Sequence, residues 1–316
     1  MKILSLCPSN TELVEYLGFT DMLAGVDDYS DWPDRISRLP RLGPDLSINM
    51  DKVEKLEPDL VLASLSVPGM EKNVAELEKR QIPHIVLNPQ SLADIEQDLI
   101  LTAEKIGKPE RGILAAEEFA AKIEALKLIS SRIENKPSLY WEWWPKPVFT
   151  PGKVNWLTEI SEISGGMNLF RDIELASVQT DWEDVLNRQP DYICLAWVGV
   201  RREKVNPDIV LKRPGWSEME AVKQNRILVL EEELFCRPSP RLIEGAIKLA
   251  KKSTRRHFLR YKNKKANPII PADLPAFRIY FFSDLIYCCL KTCMDSFSFS
   301  NINSSSVRVP SPISTM

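Results

Sequence analysis

The chain has 316 residues, enough for two domains of ordinary size, and its 44% hydrophobic content is typical of a globular protein. Its formal net charge of −3 is unevenly spread. Residues 1–253 carry 32 Lys+Arg against 41 Asp+Glu, a net of −9, whereas residues 254–316 carry nine against three, a net of +6. A nucleic-acid surface needs clustered basic side chains, so the acidic body argues against that class of function.

Short apolar runs alternate with helical patterns through the first part of the chain. They read "KILSL" then "SNTELVEYLG", "DLVLAS" then "MEKNVAELEKR", and finally "HIVLN". This rhythm predicts an α/β fold with a largely parallel sheet. His84 opens the last run and is interpreted as a partly buried strand residue.

Two consecutive helices are predicted next, over "SLADIEQDLILTAEKIG" and "PERGILAAEEFAAKIEALKLISSRIENK". Ser91 can cap the first, with Asp94 in its first turn, and Pro109 suits the first turn of the second. The second helix is long, roughly 25 residues or about 40 Å at 1.5 Å per residue.

The second half repeats the landmarks of the first in the same order. "TELVEYLG" at 11–18 returns as "TEISEISG" at 158–165, and "DKVEKLEPD" at 51–59 returns as "EDVLNRQPD" at 183–191. Two related lobes are therefore expected on either side of a cleft. The predicted parts are an N-terminal α/β lobe at 1–108, a bridging helix at 109–135, a C-terminal α/β lobe at 136–253 and a tail at 254–316.

The tail differs in character from both lobes. It begins with "RRHFLRYKNKK", continues with "FRIYFFSDLIYCCLKTCM" and ends in a Ser-rich segment. Arg278, Asp284 and Lys291 interrupt its apolar run, which disfavours a transmembrane helix. We expect an extension that the lobes do not need.

The sequence contains none of the motifs GxxxxGK[ST], GxSxG and HExxH. Cys7, Cys194 and Cys236 are scattered, and His84 and His257 lie far apart, so a zinc or iron site is not expected. Cys7 has one histidine in the body to serve as its base, which disfavours a nucleophilic role. We expect neither an enzyme nor a resident cofactor.

The stretch "YWEWWPKP" at 140–147 concentrates three tryptophans. In a strand, Trp141 and Trp143 share one face while Glu142 and Trp144 share the other, so one buried face cannot hold all three indoles. The two prolines then end ladder pairing. This pattern predicts Trp141 in the core, and Trp143 and Trp144 at a strand end as a platform for a ligand.

Other candidates for a ligand cleft also occur where strands end. They are Pro8, Trp32 in "DYSDWP", Trp197 after "ICLA", and Phe235 and Arg237 in "FCRPSPR". Flat aromatic faces suit a large conjugated or macrocyclic ligand, and Arg237 could meet an acidic substituent or an amide oxygen. Trp32 and Trp197 could instead simply close a lobe.

The motifs "LCPSNTE", "DYSDWP", "PDLVLAS", "FTPG" and "RPSPR" resemble those of one family over residues 1 to about 253. They are similar to the cobalamin-binding members of the helical-backbone substrate-binding proteins of ABC importers. The resemblance implies two α/β lobes bridged by one long helix, with cobalamin, an iron–siderophore or haem bound between them and carrying its own metal. A monomer is expected.

By position, the resemblance implies corrinoid contacts at Pro8, Tyr29, Trp143 and Phe149. The tryptophans expected before "INMD" and near Ser177 are absent. Trp144, Trp32 or Trp197 is expected to compensate, and another corrinoid or metal chelate stays open as the ligand.

The resemblance also implies that Asp51 and Glu183 dock onto arginines of the two permease subunits. Met1 leads directly into Ile3, Leu4 and Leu6 without the basic and apolar regions of a secretion signal, so the chain as written is expected in the cytoplasm. The resembling proteins meet their permease outside it. An intracellular corrinoid-binding accessory protein is the alternative.

Overall fold

The computed structural model describes residues 1–254, so the predicted tail, including His257 and the apolar run, lies outside the described residues. In the first lobe, four parallel strands follow the order β2-β1-β3-β4. The elements of this lobe are β1 (Ile3–Ser5), α1 (Pro8–Tyr16), β2 (Leu23–Val26), α2 (Met50–Lys55), β3 (Leu60–Ser64), α3 (Glu71–Lys79) and β4 (His84–Leu87).

Two helices leave the first lobe, α4 (Leu92–Lys105) and the 22-residue α5 (Pro109–Ser130). Ser91 and Asp94 form the capping box of α4, and Pro109 occupies the first turn of α5, so both predicted helix starts are confirmed. Gly112 lets the helices pack closely, because a Cβ there would lie 2.7 Å from the Cβ of Ala103.

The second lobe contains a four-stranded parallel sheet in the order β11-β10-β5-β8 and an antiparallel sheet β6-β7-β9. Its elements are β5 (Ser138–Glu142), β6 (Trp144–Pro145), β7 (Val148–Pro151), α6 (Trp156–Ile163), β8 (Met167–Asn168), β9 (Ser177–Thr180), α7 (Trp182–Arg188), β10 (Tyr192–Leu195), α8 (Glu220–Lys223), β11 (Ile227–Val229), α9 (Glu232–Phe235) and α10 (Leu242–Ser253).

The sequence repeat corresponds to a structural repeat. With β1 matched to β5, β2 to β8, β3 to β10 and β4 to β11, the two parallel sheets have the same strand order. Gly18 and Gly165 end equivalent helices with φ of +80° and +86°, the left-handed conformation that glycine adopts without strain. Asp59 and Asp191 each accept a backbone N–H at the start of the neighbouring strand, from Lys2 and Ser138.

One apolar cluster continues from the first lobe through α4 and α5 into the second. Its buried members include Leu13, Leu99, Phe119, Trp141 and Leu249. The prediction of two α/β lobes, each with a parallel sheet, bridged by one long helix is confirmed. Among the described helices, none combines the length and the apolar character that a bilayer span requires.

Candidate functional site

Large apolar side chains are exposed just beyond the carboxyl ends of strands in both lobes. In the first lobe, Tyr29 follows β2 and Leu65 follows β3. In the second lobe, Trp144 is the first residue of β6, just after β5, and Val198 follows β10. Their exposed fractions are 56%, 37%, 45% and 43%. In open parallel sheets, this edge is where ligands bind.

The carboxyl edges of the two sheets face each other, because the loops that follow them are in contact. Asp31, beyond β2, accepts a 2.6 Å hydrogen bond from Arg237 of the second lobe. Arg241 lies over the indole of Trp32, 4.5 Å from the ring centroid. These exposed apolar side chains of the two lobes define the candidate inter-lobe cleft, next to the contacts between the lobes.

The contact also includes a buried carboxylate. Glu12 of α1 is 1% exposed and accepts hydrogen bonds from Arg237, Arg241 and Ser239 at 3.1, 3.0 and 2.5 Å. Although burial opposes its charge, the hydrogen bond to Asp31 and the charges of Glu232 and Glu12 raise the pKa of Arg237. Arg237, expected to meet a ligand, already pairs with three carboxylates.

The tryptophans of residues 141–144 follow the alternation that the sequence predicts. Trp141 is fully buried, and its Nε1 donates to Ser161. Trp143 packs against Trp156 at 6.1 Å on the same side. Trp144 points to the other side, where it pairs across the β6–β7 hairpin with Phe149. Trp144 and Phe149 are thus neighbours, whereas Trp143 joins the edge of the core.

A buried ion pair fixes Trp197 beside the cleft. Arg213 donates two hydrogen bonds, of 2.7 and 2.8 Å, to Glu142 at the end of β5. The same carboxylate accepts from Tyr140 at 2.7 Å and from Nε1 of Trp197 at 3.1 Å. Because Glu142 satisfies all these donors, the half-buried Trp197 has a defined position beyond β10.

The remaining candidates have different surroundings. Pro8 is half-buried in the first turn of α1. Phe235 has no exposed surface, since it packs on Trp141 at 5.3 Å in the core. Burial raises the pKa of the Cys7 thiol to about 11, which keeps it protonated near neutral pH. Within residues 1–254, no group of three or more His, Cys, Asp or Glu side chains could hold a metal ion.

Asp51 and Glu183 lie at equivalent places, in the first turns of α2 and α7, and both are exposed. The Asp51 side chain, which is 86% exposed, pairs with Arg80 at 2.7 Å. Glu183 borders a cavity of about 770 Å³ between α7 and the β6–β7 hairpin.

Sequence reasoning missed Glu12, Glu142 and Arg213. Glu12 and Glu159 occupy the same position of the "TE" repeat, and both reach outside their own lobe, because Glu159 accepts the backbone N–H of Leu92 at 2.6 Å. The repeated glutamate was thus a usable signal. Nothing local marked Glu142 and Arg213 as partners, since 71 positions separate them.

Two similar α/β lobes and the long helix that bridges them define a two-lobed binding protein. Residues 3–234 match the model of the periplasmic binding protein family, and the chain belongs to that family. A relative from Bacillus subtilis, an uncharacterized ABC transporter substrate-binding lipoprotein named YvrC, is 30% identical over 79% of this chain and 78% of its own length. A vitamin B12-binding protein from Vibrio cholerae is 28% identical over 77% of this chain and 86% of its own length.

Solved structures with the same fold include binders of more than one ligand. The periplasmic vitamin B12 binding protein BtuF of Vibrio cholerae is similar with a TM-score of 0.67 and 25% identity, over 80% of this chain and 96% of that one. The periplasmic heme-binding protein RhuT from Roseiflexus sp. RS-1 has a TM-score of 0.71 at 23% identity, over 81% and 98%. The second likeness shows the fold alone.

Proposed function

We propose that this protein captures a corrinoid such as cobalamin in the inter-lobe cleft and delivers it to an ABC importer. The observation that carries the proposal is the set of exposed apolar side chains on both cleft walls, Tyr29, Leu65, Trp144 and Val198. Aromatic and aliphatic surface of this kind loses contact with water when a flat macrocycle lies between the walls. Vitamin B12-binding relatives that match most of this chain support the corrinoid assignment.

Delivery requires a permease that recognises both lobes. Asp51 and Glu183 are exposed, one on each lobe, at equivalent positions of the repeat. We assign them the docking role, in which each carboxylate pairs with an arginine of one permease subunit. Delivery also needs the protein on the outer side of the membrane, and cell fractionation distinguishes this from an intracellular accessory role.

The direct test is an absorbance titration of the purified protein with cyanocobalamin, haem and a ferric siderophore. We expect one-to-one binding of the corrinoid and weaker or no binding of the other two. Absence of corrinoid binding at about 10 µM, near −7 kcal/mol, would sink the proposal. Saturable haem or siderophore binding in its place would assign the cleft to that ligand.

A further inference from the structure

A cavity of about 480 Å³ lies beside the cleft in the second lobe. Residues 144–146 of its wall follow the carboxyl end of β5, and Arg213 is hydrogen-bonded to Glu142 at that end, so the cavity lies at this edge of the sheet. We name it the indole–lysine pocket after its lining side chains, which include Trp144, Trp182, Lys146, Lys212, Arg213 and Ile209. Trp144 lines this pocket and also belongs to the exposed apolar set of the candidate cleft.

The charges of the indole–lysine pocket are all positive. Lys146 and Lys212 are exposed and form no ion pair with any residue of 1–254. Glu142 balances the charge of Arg213, so the two lysines give the pocket its excess charge. No acidic side chain lines the pocket, although residues 1–253 carry a net charge of −9.

The pocket also has hydrogen-bond donors without acceptors. Nε1 of Trp182 and Nε of Arg213 are buried and have no hydrogen-bond partner within the described part of the chain. Both residues line the pocket, and the Arg213 side chain is only 1% exposed. Buried donors without acceptors are uncommon in native proteins and call for an explanation. The polar hydrogens of these donors add to the positive potential behind the pocket wall.

The aromatic walls hold the cations in place. Nζ of Lys146 lies 5.2 Å from the ring centroid of Trp182, and Cζ of Arg213 lies 5.0 Å from the same ring. Trp182 therefore carries two cationic neighbours, which order the pocket before a ligand arrives. The neighbouring 770 Å³ cavity differs, because Asp181 and Glu183 line it together with Lys146.

We propose that the indole–lysine pocket binds an acidic substituent, a carboxylate or a phosphodiester, on the edge of the chelate held in the cleft. This inference rests on the proposed function and narrows it to ligands that carry an anion. Lys146 and Lys212 supply the charge, and the indoles of Trp144 and Trp182 cover the apolar atoms next to the anion. Charge-assisted hydrogen bonds of this kind make a difference of about tenfold or more in affinity.

The test compares two corrinoids that differ in the anion. Cobalamin carries a phosphodiester in its nucleotide arm, and cobinamide lacks that arm. We expect wild-type protein to bind cobalamin at least about tenfold more tightly, with an affinity that falls as salt rises. In K146M/K212M the preference and its salt dependence should disappear while cobinamide affinity stays unchanged. The matched control K223M/K252M removes the same charge from exposed positions on α8 and α10 and should retain the preference.

The possible outcomes separate this inference from the proposed function. Equal binding of both corrinoids by wild-type protein, or a preference that K146M/K212M keeps, overturns the pocket assignment and leaves the corrinoid function intact. If neither corrinoid binds, haem and its dimethyl ester repeat the comparison with and without carboxylates. Failure of both pairs overturns the function and the inference together.

Discussion

Glu12 and Arg237 are 225 residues apart in sequence, yet their side chains form a hydrogen bond of 3.1 Å between the two lobes. Glu12 lies in the first helix, and Arg237 follows α9 near the end of the body. The pair joins the "TE" motif of the first lobe to the "RPSPR" motif of the second. Both motifs therefore help to fix how the lobes meet.

Replacing Glu12 with glutamine should destabilise the protein. E12Q leaves Arg241 without its carboxylate partner and leaves Arg237 with only Asp31 and Glu232, and loss of one buried partner costs up to about 3–5 kcal/mol. We expect the free energy of unfolding, measured by urea denaturation, to decrease by an amount of that order. The control is E76Q, which removes an exposed carboxylate paired with Lys79 and should cost less than about 1 kcal/mol. Similar small effects of both changes would show that the lobes do not depend on this contact.

Truncation of the exposed aromatic side chains should weaken ligand binding without unfolding the protein. Y29A and W144A each remove a face that would lie against the macrocycle, worth about 0.5–1.5 kcal/mol beyond the buried area. For each variant we expect a roughly three- to tenfold loss of corrinoid affinity, which corresponds to about that energy. The melting temperature should stay unchanged. L128A truncates a comparably exposed residue of α5 and should bind normally. Normal corrinoid affinity in both aromatic variants would show that these two side chains do not contact the ligand.

The Glu142–Arg213 pair predicts a non-additive pattern of stability. R213M leaves the buried carboxylate of Glu142 uncompensated and should cost about 3–5 kcal/mol, whereas E142L/R213M removes both charges and should recover much of this loss. Chemical denaturation of the two single variants and the double variant measures the coupling. Additive losses would mean that the two side chains act independently.

Removal of the two proposed docking carboxylates should separate transport from binding. D51A/E183A is expected to bind ligand normally and to lose permease association in a pull-down, because each lobe loses its charged contact. E54A/E203A removes exposed carboxylates from the same two lobes and serves as the control. Unchanged association of D51A/E183A would exclude the docking role.

Asp98 of α4 makes the stability of the protein sensitive to pH. Its Oδ2 is buried without a hydrogen-bond partner among the described residues, and burial, followed by the charge of Asp94, raises its pKa to about 7. Because the unfolded value is about 3.9, the stability that Asp98 contributes below pH 4 is lost as pH rises towards 7. D98N should therefore match wild type near pH 4 and exceed its stability by roughly 1–3 kcal/mol at pH 8.

Thermal unfolding across this pH range checks the Asp98 prediction. E117Q, at an exposed position of α5, should show no pH-dependent gain. If D98N increases stability by the same amount at pH 4 and at pH 8, ionisation of Asp98 is not the cause of the increase.

The fold could be predicted because its signals are local and repeated. Alternating apolar runs predict the parallel strands, Ser91 and Pro109 mark helix starts, and period-two alternation separates Trp141 from Trp144. The site could be predicted only in outline. Whether Arg237 faces a ligand or a carboxylate depends on Glu12 and Asp31, which reach it only after both lobes have folded. The repeated glutamate marks Glu12 as a residue of interest, but it does not identify Arg237 as its partner.

The apolar core shared by α4, α5 and both lobes has a consequence for the supply of ligand to a transporter. Because this core joins the lobes, we expect the spacing between Asp51 and Glu183 to change little when a ligand binds. Empty copies would then compete with loaded ones for the permease that the proposed function requires. Under the proposed function, the import rate depends on the ratio of ligand to binding protein, and a cell that makes an excess of this protein slows its own uptake.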